Sequence, residues 1–257
     1  MRDPMFERLL VTGEGPTDMG CCENQSDVCT GDDYQIGPVA ILISKLLERY
    51  LPEWNADQLE FKNPELFTSF VYRFRLSQIA KEKQLIRPSK KGVRSGFVEH
   101  AQRAAALGDY AKLNASQIAA YFHDTDGTRS EQRDDPHRRE NLVKAINEGF
   151  RAVDFFECGI AVVPKPTSEA WLLCMCKAVP YQHCNKLEDE LSGNDRSPQR
   201  APKKLLAEAL NVEELDREIL CKIARQVDIE RIDMNSFNAV RVSFRQAIEK
   251  ICGQVRD

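Results

Sequence analysis

The sequence predicts an α/β protein whose parallel sheet is flanked by helices and continues into a helical C-terminal extension. Three short apolar runs, residues 8–13, 118–122 and 159–163, each read as a buried strand, and each is followed by a polar turn or bend that leads to carboxylates. The stretches between them carry helical spacing. Parallel neighbours need crossover connections of that kind, so strand, helix and strand in alternation imply a parallel sheet.

The first run, Arg8-Leu9-Leu10-Val11-Thr12-Gly13, ends in Glu14-Gly15-Pro16-Thr17-Asp18, and a loop holding Cys21 to Asp33 is expected after it. Ile41, Leu42, Leu46, Leu47 and Tyr50 recur at helical intervals, giving an amphipathic helix that stops before Pro52. Residues 69–76 alternate apolar with polar side chains, as an outer strand would. Residues 93–113 are Ala-rich and helical. The second run ends in His123-Asp124-Thr125-Asp126-Gly127, a helix is expected over 136–150, and the third run is closed by Pro164. Glu169 then opens a helix through Ala170-Trp171-Leu172-Leu173, in which Trp171 reads as core. Residues 187–202 are polar and loop-like, and helices are expected near 201–210, 212–226 and 236–251. The chain accordingly divides into an α/β domain over 1–180 and a helical extension over 181–257 packed on it.

Composition bounds the function. Of the 257 residues, 42% are hydrophobic and 30% charged, which suits a globular protein, and no apolar run approaches the roughly 20 residues that span a bilayer. Without a secretory pattern at the N-terminus, a cytoplasmic protein is expected, with no membrane partner. The nine cysteines are scattered and odd in number, so most are expected as thiols; Cys174 and Cys176 read as small hydrophobes, and no paired spacing completes a zinc set. The net charge of −4 excludes a uniformly basic nucleic-acid binder. Positive charge is instead concentrated in Arg73, Arg75, Lys81, Lys83, Arg87, Lys90, Lys91, Arg94 and Arg103, either a phosphate-binding face or a solvated surface.

Ligands of open α/β sheets bind beyond the carboxyl ends of the strands. Glu14 follows the first strand, Asp124 and Asp126 the second, and Glu169 the third. Carboxylates gathered there repel one another unless a cation neutralises them, and all-oxygen ligation suits a hard ion such as Mg²⁺ or Mn²⁺.

These residues carry a resemblance. The strand followed by Glu14-Gly15-Pro16-Thr17-Asp18 resembles the first motif of the Toprim superfamily, whose fold is a Rossmann-like parallel sheet. Phe122-His123-Asp124-Thr125-Asp126-Gly127 resembles the second, and residues 164–173 are similar to the third acidic segment of its overcoming-lysogenization-defect (OLD) branch. Small stand-alone bacterial Toprim-like proteins of unknown function are more similar still, including in Arg200-Ala201-Pro202-Lys203-Lys204 and residues 232–237. The resemblance implies Glu14, Asp18, Asp124, Asp126 and Glu169 around one or two Mg²⁺ or Mn²⁺ ions, and hydrolysis of nucleic-acid phosphodiesters, DNA ahead of RNA. It implies a helper lysine, for which Lys203, Lys204 and Lys165 are candidates, and allows Glu14 to act as general base. By analogy with relatives it extends to phage defence or DNA repair. No tyrosine stands out as a topoisomerase nucleophile.

Two other readings compete. Asp124-Thr125-Asp126-Gly127-Thr128 matches the D-x-D-G-T signature of haloacid-dehalogenase-like phosphatases, with Asp124 as nucleophile and Asp126 as acid/base. That reading leaves Glu14 and Glu169 unexplained. The chain could instead be a non-catalytic Toprim-like partner of an ATPase, since it has no phosphate-binding loop of its own.

Overall fold

The computed structural model describes residues 8–24, 26–51, 67–86, 92–125, 137–193 and 198–253. Its main sheet is built from β1 (Leu9–Thr12), β3 (Val28–Thr30), β5 (Thr68–Val71), β6 (Ile118–Phe122) and β7 (Gly159–Val162), in the order β3-β5-β1-β6-β7. All neighbours run parallel except β3, which lies antiparallel on β5. The predicted fold class is therefore the observed one.

Period-two alternation decides which helices cover which face. Leu9, Val11, Phe70, Ile118, Ala120, Phe122, Ile160 and Val162 enter one core. Leu10, Val71, Ala119 and Tyr121 enter the other. The second face is covered by α2 (Arg73–Glu82), α3 (Val98–Leu113) and α4 (Arg138–Arg151). Small residues let these helices approach: a side chain at Gly149 of α4 would strike the Ala101 carbonyl of α3. The first face packs on α1 (Pro38–Tyr50), and the C-terminal helices share that core. These are α5 (Glu169–Cys176), α6 (Leu187–Glu190), α7 (Pro202–Leu210), α8 (Arg217–Gln226) and α9 (Asn235–Cys252). Leu220, Ile223, Phe237, Phe244 and Ile248 are buried with Leu9 and Val11, so the C-terminal helices complete one hydrophobic face of the sheet.

Several expectations are corrected. Residues 69–76 are not an outer strand: β5 ends at Val71 and α2 begins at Arg73. β5 is internal because β3 takes the edge beside it, and the Thr12 hydroxyl donates to the Val71 carbonyl (2.7 Å) where the strand stops. The loop expected from Cys21 to Asp33 instead holds β3 and the end of β2 (Gly20–Cys22), and it runs into β4 (Tyr34–Ile36), which pairs antiparallel with β2. Strands of three residues are too short to declare a periodicity. Gly20 turns the chain there with a φ of +95°, and a side chain on it would meet the Gln35 carbonyl oxygen at 2.0 Å.

Most cysteines are thiols, as expected, but four are paired. Cys22–Cys29 and Cys174–Cys184 are disulfides, and Cys21, Cys158, Cys176, Cys221 and Cys252 are free. Cys174 is buried as its apolar helix predicts, but bonded. The segment 187–202, read as a loop, contains α6, and the helix expected from residue 93 begins at Val98 after a single 3-10 turn, Ser95–Phe97. Pro52, Arg87, Lys90, Lys91, Asp126 and Pro136 lie outside the described residues. Among the described residues no helix is long and apolar enough to cross a membrane.

Candidate metal and phosphate site at the sheet edge

The strand order places a topological switch between β1 and β6. The chain leaves β1 toward β5 on one side and returns to β6 on the other, so the connections diverge and open a crevice at the carboxyl ends of these two strands. Glu14 and Asp124 stand on its two banks. The banks are close because residue 13 is glycine: a Cβ there would lie 2.2 Å from Met19 Cγ and 2.9 Å from Phe122 Cδ1.

Asp124 is 9% exposed, and the backbone N–H of Ser168 donates to its Oδ1 (3.1 Å). The Ser168 hydroxyl donates to Asp18 Oδ1 (2.7 Å). One buried serine therefore gathers two of the predicted acids from positions 44 and 150 residues away. Its amide is aimed by the start of α5, where backbone donors lack helical partners and favour an anion. The bend leading there is tied to β6. Thr125 donates from both its amide (3.1 Å) and its hydroxyl (2.9 Å) to the Pro166 carbonyl, and the His123 amide donates to Val162 (3.1 Å). Asp18 is held from behind by the first turn of α1, where the Val39 amide donates to its carbonyl (3.0 Å). Glu169 opens α5 as predicted and is half-buried next to Ser168.

Glu14 has different company. Arg73 at the start of α2 reaches its Oε1 (3.5 Å) and its backbone carbonyl (3.4 Å), and His123 Nδ1 lies against the same carboxylate oxygen. The His123 ring stacks on His100 of α3 with centroids 4.2 Å apart, and His100 Nδ1 is 3.2 Å from the Tyr121 hydroxyl. Burial pushes His100 down to about 3, with Arg103, Arg73 and Arg138 adding to the effect. Burial and then Arg138 push His123 down to about 3 as well. Both histidines are neutral near pH 7, and the positive charge of this bank belongs to arginines. Burial raises the Tyr121 phenol, which also stays neutral.

The predicted acids are thus only partly assembled. Asp18 and Asp124 meet at Ser168, Glu14 stands with Arg73 and His123, and Asp126 lies outside the described residues. Among the described residues, no three Asp, Glu, His or Cys side chains are close enough to hold one metal ion. The donor chemistry fits a hard cation, since Asp18 and Asp124 offer only oxygen, but this pair does not make a full coordination set. The helper lysines are elsewhere: Lys203 and Lys204 are exposed on the first turn of α7, Lys204 is 3.9 Å from Glu208, and Lys165 pairs with Asp189 (2.9 Å).

Sequence reasoning missed Ser168, and it treated Arg73 only as one charge in a basic run. The signal for Ser168 was its place between two motif residues, Thr167 and Glu169; nothing local declares a bond to Asp18. Comparison with known proteins adds no relative: no family model, curated protein or solved structure matches the chain.

Proposed function

We infer that the chain is a divalent-metal-dependent nuclease that hydrolyses phosphodiester bonds at the β1–β6 crevice. The observation that carries this reading is the convergence of Asp18 and Asp124 on Ser168 at the switch point, facing a bank where Glu14 is neutralised by Arg73. Asp18 and Asp124, which share Ser168, would hold the ion, with Asp126 as a further oxygen ligand. Bound Mg²⁺ or Mn²⁺ supplies Lewis-acid polarisation of a phosphoryl oxygen and a water of lowered pKa. The protein's own groups position the substrate. Ser168 keeps two carboxylates fixed, Arg73 presents a planar guanidinium suited to a phosphate, and the neutral His123 packs against Glu14, the candidate general base.

The test is incubation with supercoiled DNA, linear DNA and RNA in Mg²⁺, Mn²⁺ or EDTA, using wild type, Glu14→Ala and Asp124→Ala. Cleavage in the divalent ions, none in EDTA, and loss in both variants is the expected result. Full activity in Glu14→Ala beside a dead Asp124→Ala would remove Glu14 from the site and with it the Toprim-like arrangement, and no cleavage by wild type in either ion would sink the nuclease assignment. The phosphatase reading would then gain. What favours it is the Asp124 carboxylate held by a backbone amide at the end of an internal strand, and turnover of a small phosphomonoester would establish it.

A cytoplasmic setting, which a nucleic-acid substrate favours, would keep the Cys22–Cys29 and Cys174–Cys184 pairs reduced. Alkylation of the protein in freshly lysed cells, followed by mass measurement, decides that point. Nine modified thiols would mean a reducing setting, and five would mean that both disulfides persist there.

A further inference from the structure

An exposed aromatic side chain sits one residue from the cation that pairs with Glu14. Phe74 is 67% exposed on the first turn of α2, between Arg73 and Arg75. Single exposed hydrophobic residues are ordinary and need no explanation, so exposure alone says little. Position separates Phe74 from the others. Leu113, Val179 and Val242 are aliphatic, and Phe156 carries the Arg151 guanidinium over its ring at 4.2 Å. Phe74 instead follows Arg73, whose guanidinium reaches Glu14 at the crevice.

Its surroundings hold three arginines, each beside a carboxylate: Arg73 with Glu14, Arg75 with Glu82 (4.0 Å) and Arg103 with Glu99. Arg73 reaches Glu14 and remains about one-third exposed, and Arg75 is open to a similar degree. The first turn of α2 has no acidic residue, and its terminal amides add partial positive charge. Arg103 of α3 leans on the same helix, donating from Nε to the Ser77 hydroxyl (2.8 Å). Successive helical residues project about 100° apart, so the two arginines flank the ring on opposite sides. A flat π-face between two guanidinium groups matches an unpaired nucleic-acid strand, which offers bases to stack and phosphates on either side. It does not match a duplex, whose bases are already stacked.

We propose that the first turn of α2 is a docking platform for single-stranded nucleic acid, with Phe74 stacking on a base while Arg73 and Arg75 take the adjoining phosphates and lead the strand to the carboxylate edge. The proposal rests on the nuclease reading for its direction, and it names the substrate class of that site as unpaired strands.

Binding is the readout, measured in EDTA so that cleavage does not enter. Fluorescence anisotropy would compare a labelled oligonucleotide as a single strand and as a blunt duplex, with wild type, Phe74→Ala and Phe74→Trp. Wild type should bind the single strand more tightly. Phe74→Ala should weaken that complex by about 5- to 100-fold, the usual effect of losing one stacked base, and leave duplex binding within about 2-fold. Phe74→Trp should restore the affinity, which also excludes a folding defect. Equal affinity of wild type and Phe74→Ala for the single strand overturns the proposal, as does an equal loss for both forms of DNA. Failure of wild type to bind the strand overturns it whatever the cleavage assay gives. Phe74-dependent binding without cleavage in Mg²⁺ or Mn²⁺ sustains the platform and removes the nuclease reading.

Discussion

The two banks of the crevice are built by opposite means. On the β6 bank Asp124 is buried, and its carboxylate and that of Asp18 are fixed by hydrogen bonds to one serine. On the β1 bank Glu14 is 28% exposed, its partner Arg73 is 31% exposed, and the ion pair between them is long at 3.5 Å. A buried, hydrogen-bonded carboxylate has little freedom to rearrange, whereas a partly solvated ion pair is weak and can exchange partners. The rigid bank suits a group that must be pre-positioned for chemistry, and the open bank suits a group that meets the substrate. Removing Asp124 should therefore cost most. Asp124→Ala is expected to lower nuclease turnover on the order of 10³-fold or more, the scale of losing a principal electrostatic contribution. Arg73→Ala should act mainly on substrate affinity. A variant pair in which Arg73→Ala lowers kcat as far as Asp124→Ala does would erase the distinction between the banks.

Ser168 offers a sharper test, because it should act only through the acids it holds. Ser168→Ala keeps the backbone amide on Asp124 but removes the hydroxyl on Asp18, and a loss of about 10- to 100-fold in metal affinity is expected, the usual range for a residue that orients ligands. Ser168→Thr retains the hydroxyl and should recover most of it. The readout is the Mg²⁺ or Mn²⁺ concentration at half-maximal cleavage, which a purely structural role would leave unchanged.

The contrast between the banks also explains how much of the site was legible in the sequence. Glu14, Asp124 and Glu169 were visible because each follows an apolar run, and burial on both faces makes such runs conspicuous. β1, β6, β7 and the helices with strong apolar stripes were found for the same reason. β2, β3 and β4 were missed because three residues cannot display a period, and β5 was placed at an edge because Phe70, Tyr72 and Phe74 alternate. That alternation spans a strand and the first turn of a helix, with Phe70 buried at 2% and Phe74 exposed. Ser168 was invisible because its partners are distant in sequence. The neutrality of His100 and His123 depends on burial between α3 and β6, which a residue list does not record.

Burial of the histidines beside Glu14 gives this side of the crevice a pH signature. His100 titrates near 3 when folded and near 6.5 when unfolded, so the unfolded chain takes up a proton first as pH falls. Its contribution is fully present above about pH 6.5 and declines by up to about 1.4 kcal/mol per pH unit toward pH 3. Between pH 7 and pH 5 the wild type should lose about 2 kcal/mol that His100→Gln does not lose. Denaturant unfolding of both proteins at the two pH values measures this difference. An equal loss in the two would mean that the ring is already charged in the folded protein, and the bank would then be more cationic than described.

The smallest expected effect lies behind the rigid bank, where α5 is anchored to the C-terminal helices. Trp171, two residues past Glu169, is 1% exposed, stacks edge-on against Phe237 at 5.1 Å, and donates from its indole nitrogen to the Ser236 hydroxyl (2.8 Å). The Ser236 amide in turn donates to the buried Glu188 (2.6 Å), so a hydrogen-bonded chain runs from α5 through α9 to α6. Trp171→Phe keeps an aromatic ring but deletes the indole donor and leaves the Ser236 hydroxyl short of a partner, costing about 1 to 3 kcal/mol in thermal or denaturant unfolding. If α5 is held mainly by this anchor, the variant should also raise the metal concentration needed for cleavage, because Ser168 sits at the start of the same helix. If Ser168 is held mainly by its bonds to Asp18 and Asp124, stability should fall while metal dependence stays fixed. The second outcome is expected, since the bends after β6 and β7 are tied together independently by the bonds from His123 and Thr125.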